Sequence, residues 1–129
     1  MSTLTITLTG RPPVTIIEGD WPIIASGWDA ESDAQANHRS EWSIRVRQHS
    51  DGRALVYATY SYTSDWQGAR DYSARRGVLL PTGSDAAAIC TAIEEVSRDI
   101  AAAEHHGDDA SRWPTLAAEC IAAMPAEAI

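Results

Sequence analysis

The chain has 129 residues, of which 44% are apolar and five are tryptophan, so it can bury one real core and is too apolar to be disordered. Its net charge of −8 and lack of lysine argue against general polyanion binding. No apolar run nears the roughly 18 residues of a membrane span, and there is no basic-then-apolar leader. The expectation is a soluble, cytoplasmic protein of one domain, mainly β over residues 1–81 and helical over 84–129.

Thr3 to Thr9 alternates strictly, with Leu4, Ile6 and Leu8 on one face and threonines on the other, as in a half-buried strand. Gly10-Arg11-Pro12-Pro13 is a turn, and Val14 to Ile17 should pair back onto the first strand. Trp21 to Ala25 is extended, with Pro22 placing it at an edge. Residues 29–40 lack apolar periodicity and read as a mobile loop.

Glu41 to Thr63 carries the strongest signal, a long β-hairpin. Trp42, Ile44 and Val46 alternate with Ser43, Arg45 and Arg47, and Ser50-Asp51-Gly52 forms the turn. A three-residue loop needs positive φ at its last position, which glycine adopts without strain. That length sets Val46 opposite Val56, Ile44 opposite Ala58 and Trp42 opposite Tyr60. Residues 64–69 follow as a loop, and Val78-Leu79-Leu80 closes a short last strand before Pro81.

The remainder is helical. Ser84 is the expected N-cap, and Ile89, Ile93, Val96 and Ile100 form a stripe on one face. Gly107 should stop this helix. A second starts near Pro114 and buries Leu116, Cys120, Ile121 and Met124. Cys90 and Cys120 then lie roughly 25 Å and roughly 10–15 Å from the connection, so they should stay free thiols. Strands followed by helices imply an α+β fold, an antiparallel sheet of about four or five strands with two helices on one face. Leu4, Ile6, Leu8, Trp42, Ile44, Val46, Val56, Ile89, Ile93, Val96, Leu116 and Ile121 are expected in a single core.

Charge is uneven. Residues 1–38 carry −4, residues 39–77 carry +3 and residues 84–129 carry −7. All ten basic residues are arginine, which a GC-rich coding sequence explains.

No catalytic or cofactor motif stands out. His49-Ser50-Asp51 holds triad residue types, but neighbours in a tight turn diverge. His105 and His106 are adjacent on a helix and point about 100° apart, a poor metal pair. No metal or cofactor is expected, and a small metal-dependent enzyme using the two histidines is the weaker alternative. Glu94, Glu95 and Asp99, with Glu104, Asp108 and Asp109 beyond them, read as a solvated acidic helix face and as a candidate partner surface. Arg45 and Arg47 beside Leu55 and Tyr57 resemble a stacking platform for single-stranded nucleic acid, to which Arg75 and Arg76 could add charge, with Trp66 nearby. This is the alternative surface, and Leu55 and Tyr57 are expected in the open. Trp28 and Trp66 are the tryptophans expected at the surface.

The runs GDWPIIASGWD and EWSIRVRQHSDGRALVYATYSYTSDWQGARDYSARRGVLLP, within Gly19 to Pro81, resemble small proteins of proteobacterial phages and mobile elements. The resemblance implies a setting rather than a chemistry: such proteins often bind a host protein, and anti-CRISPR proteins are one class. The expected function is therefore a non-enzymatic, acidic protein-binding module that occupies the basic, nucleic-acid-binding groove of a host protein. A homodimer is left open.

Overall fold

The computed structural model describes residues 2–33, 38–64, 72–103 and 111–126. Within them lie β1 (Thr3–Leu8), β2 (Val14–Ile17), β3 (Ile23–Asp33), β4 (His38–Gln48), β5 (Ala54–Ser64), β6 (Tyr72–Leu80), α1 (Ala86–Ala103) and α2 (Arg112–Ala122). A single 3-10 turn, Glu18–Asp20, joins β2 to the approach of β3. The strands make one sheet in the order β2-β1-β6-β5-β4-β3.

The fold is α+β, as expected, but the sheet has six strands and is mixed. Strands β3 to β6 are an antiparallel meander. The β1–β2 hairpin then joins at β6 with β1 parallel to it, Thr7 beside Arg76 and Leu8 beside Gly77. Parallel pairing between distant segments leaves no local pattern in the sequence, which is why an antiparallel sheet was the expectation.

The central hairpin has the register its turn dictates, with Val46 opposite Val56, Ile44 opposite Ala58 and Trp42 opposite Tyr60. Gly52 takes φ 94°, and its N–H donates to the His49 carbonyl at 2.9 Å. Residues 29–33 and 38–40 are not loop but strand. They belong to the outermost strand and to the far end of β4, where little covers the sheet and apolar alternation is not needed. Residues 34–37 and 65–71 lie outside the described set. The last strand runs from Tyr72 rather than only Val78 to Leu80.

In α1 the expected stripe of Ile89, Ile93, Val96 and Ile100 is buried. Its cap is Asp85 rather than Ser84. The Ala88 N–H donates to Asp85 Oδ1 at 2.8 Å, whereas Ser84 Oγ donates to the Pro81 carbonyl. Gly107 lies outside the described residues. In α2 Trp113, Leu116, Ala117 and Cys120 are buried, while Ile121 and Met124 are half-buried.

The single core of the sequence reading is two cores, one on each side of the sheet. Trp42, Ile44, Val46, Val56 and Tyr60 pack under both helices with Ile93, Val96, Ile100, Trp113 and Leu116. Leu4, Ile6, Leu8, Ile16 and Trp21 form the second on the opposite face, against Leu55 and Tyr57. Each covering layer sits on a glycine. A Cβ at Gly27 would lie 2.5 Å from the Leu116 carbonyl oxygen, and one at Gly77 would lie 2.8 Å from Ile6 Cγ2. Only a residue without a side chain lets α2 and β1 approach so closely.

Candidate functional site

The helical side of the molecule is rich in carboxylates. Because the apolar stripe of α1 turns inward, Glu94 and Glu95 point outward and are exposed. Neither forms an ion pair among the described residues. Asp99 is half-buried and accepts a hydrogen bond from Thr9 Oγ1 at 3.2 Å. Glu104, Asp108 and Asp109, like His105, His106 and Trp66, lie outside the described residues.

A second acidic group, missed by the sequence reading, sits where the start of α2 meets the edge strand β3. Arg112 donates to Asp29 Oδ2 at 2.7 Å and pairs with Glu31, while its guanidinium carbon lies 4.1 Å from the centre of the Trp42 ring. With Glu119, Ser111, Thr115 and Leu116 these residues line a cleft. Asp29 and Glu31 can reach Arg112 only because residues 29–33 are strand.

The opposite face is divided in two. One half is closed by the β1–β2 hairpin and the Glu18–Asp20 turn. Leu55 and Tyr57, expected in the open, are 0% and 1% exposed. Arg47 is also buried. Its Nε donates to Tyr57 Oη at 2.8 Å, one terminal nitrogen donates to the Trp21 carbonyl at 3.0 Å, and the other lies 3.6 Å from Glu18 Oε1. A buried guanidinium so fully bonded is a structural group, which removes Arg47, Leu55 and Tyr57 from any surface. The signal for this cover was present: Ala54 to Ala58 is an unbroken apolar run, the pattern of a strand buried on both faces.

The other half of that face is open. Across it run Trp28, Ser43, Thr59 and Arg75 on β3 to β6, with Ser26 and Arg45 in the next row. Trp28 is 52% exposed, as the sequence reading expected. Arg45 and Arg75 are half-buried and make no ion pair or side-chain hydrogen bond among the described residues. The Thr59 hydroxyl is buried and unpartnered among them. Farther out, Arg39 is bonded to Glu41 at 2.8 Å and to Ser32.

At the β4–β5 turn, His49 and Asp51 hold the chain. The Asp51 N–H donates to His49 Nδ1, and the Asp51 carboxylate accepts from the Arg53 N–H and Nε. These Arg53 bonds, the backbone one foremost, lower the Asp51 pKa. Cys90 and Cys120 are both free thiols. Burial raises the Cys120 thiol to about 11, with a smaller contribution from the Cys90 thiol. Among the described residues no helix is long and apolar enough to cross a membrane. Comparison with protein-family models, with curated proteins and with solved structures finds no match to this chain.

Proposed function

We propose that the chain is a non-enzymatic binding module whose acidic helical layer, centred on Glu94, Glu95 and Asp99, docks on a basic surface of a protein partner. The observation that carries this reading is the pair of exposed carboxylates on α1, Glu94 and Glu95, neither of which forms an ion pair among the described residues. Such charges raise the rate of encounter with a positive surface and add specificity more than affinity. The resemblance of Gly19 to Pro81 to phage and mobile-element proteins favours a host nucleic-acid-binding complex as that partner, with its basic groove as the docking site and an anti-CRISPR-like inhibition as the outcome.

Charge reversal tests the reading. The wild type and a Glu94→Arg, Glu95→Arg variant are used as baits in host lysate, with bound proteins quantified by mass spectrometry. A nucleic-acid-binding protein held by the wild type should be depleted on the variant, with slower association in purified form. Raising salt should weaken the wild-type complex as well. If the variant holds the same proteins at the same rates, the acidic layer is not the docking surface.

A further inference from the structure

Arg45 and Arg75 are half-buried, have no carboxylate partner among the described residues, and both lie on the open half of the outer sheet face. Among the described residues the charged side chains of that half are Arg39, Arg45 and Arg75 against Glu41, a balance of 3 − 1 = +2 in a chain of net charge −8.

Trp28 stands on the same face, on the edge strand. Directly opposite neighbours place Ser43, Thr59 and Arg75 in its row, so Arg75 is about 14 Å away at three strand spacings. Arg45 is its diagonal neighbour at about 7–8 Å. Between the indole and the two guanidinium groups the floor is made of Ser43, 6% exposed, and Thr59, whose hydroxyl is buried, so it gives an occupant a flat base rather than hydrogen bonds.

An occupant that satisfies all of this has separated negative charges and a flat apolar body to lie on the indole. An acidic peptide offers the charges without a regular flat body. A duplex offers phosphates but keeps its base faces stacked inside. Single-stranded nucleic acid offers both, and aromatic residues interleaved with arginine on a sheet face are how such strands are held.

We propose that the open half of the outer sheet face binds single-stranded nucleic acid, with Trp28 stacking on a base and Arg45 and Arg75 each meeting a phosphate. This surface lies across the sheet from the acidic helices, so it stands or falls apart from the reading above. It differs from the platform expected from sequence, since Arg47, Leu55 and Tyr57 are buried; Arg45 and Arg75 are retained, and Trp28 takes the stacking role.

The test is fluorescence anisotropy of the full chain with labelled oligo-deoxythymidine and oligouridine of about 15 nucleotides, at about 50 mM salt. Binding is expected to fall with salt at a log–log slope of about −1.4, from two phosphates at roughly −0.7 each. Trp28→Ala should weaken binding by about tenfold or more, and Trp28→Phe should restore most of it. Arg45→Gln with Arg75→Gln should flatten the slope toward zero. Trp28 is exposed, so its replacement leaves the fold intact, as circular dichroism will verify. The proposal is overturned if neither oligonucleotide binds at about 100 μM protein. It is equally overturned if Trp28→Ala binds as well as the wild type, or if duplex DNA or polyglutamate competes as effectively as the single strand.

Discussion

The two faces of the sheet are covered by unlike means. On one, two helices lay down a core that is nearly all apolar, with Ser97 and the unpartnered Trp42 Nε1 as its buried polar exceptions among the described residues. On the other, a two-stranded hairpin curls over half the surface and encloses a bonded arginine, Arg47. A helix brings a stripe of apolar side chains about three turns long. A four-residue strand such as β2 brings two. The smaller cover closes only part of the face, and the part left open is where Trp28 stands with Arg45 and Arg75, which have no ion-pair partner among the described residues. The covered halves hold the molecule together, and the uncovered surfaces are what it offers to others.

The largest expected effects ask whether the outer core equals the inner one. Ile93→Ala on the helical side and Ile6→Ala on the outer side should each lower stability by roughly 2–5 kcal/mol in denaturant titration. A loss below about 0.5 kcal/mol at Ile6 would make the hairpin a loose flap, and the same at Ile93 would detach α1.

Alkaline pH should act on the helical side through Cys120. A thiol that ordinarily ionises near 9 and is raised to about 11 keeps its proton in the fold after the unfolded chain has lost it. The folded state then binds more protons, so stability is fully present below pH 9 and falls as pH rises toward 11. The loss is on the order of 2–3 kcal/mol by the upper limit. Cys120→Ala should remove that pH dependence. If the wild type and this variant lose stability in parallel between pH 9 and 11, Cys120 is not buried as described.

Smaller losses should follow from filling the two close approaches. Gly27→Ala pushes on the α2 backbone and Gly77→Ala on Ile6, each at roughly 1–3 kcal/mol. Hydrogen exchange should show α2 loosened by the first and β1 by the second. If both open the same element, the two layers are not independent. The smallest expected effect is none: the melting temperature should be unchanged by a chelator. A drop that Zn²⁺ reverses would promote His105 and His106 to ligands.

Local pattern carried much of this fold. The stripe of α1, the alternation of β1 and the Asp51-Gly52 turn were legible because each depends on residues close in sequence. The parallel seam of β1 with β6 was not, since nothing in Thr3–Leu8 or Tyr72–Leu80 names its neighbour. The cleft around Arg112 was missed because polar strand ends look like loops. The exposed pair Glu94 and Glu95 was legible from helical spacing. Trp28 could be expected at the surface, but its place beside Arg45 and across from Arg75 needed the β3–β6 register. Leu55 and Tyr57 were misplaced because alternation was read on the hairpin as a whole, while the unbroken run of β5 said that both its faces are covered.

The seam between β1 and β6 also sets an order of events during folding. Thr7 and Arg76 are neighbours in the sheet but 69 positions apart in the chain. The meander from β3 to β6 closes through hairpins between consecutive strands, which form fast. The seam must wait for all of them, because its docking edge is the last strand made. During synthesis the β1–β2 hairpin emerges before β6, so Leu4, Ile6 and Leu8 have no seat until residue 80 has left the ribosome. Long-range closure of this kind slows folding and lengthens the time that apolar surface is exposed. The threonines that alternate with Leu4, Ile6 and Leu8 keep the waiting strand polar on its other face.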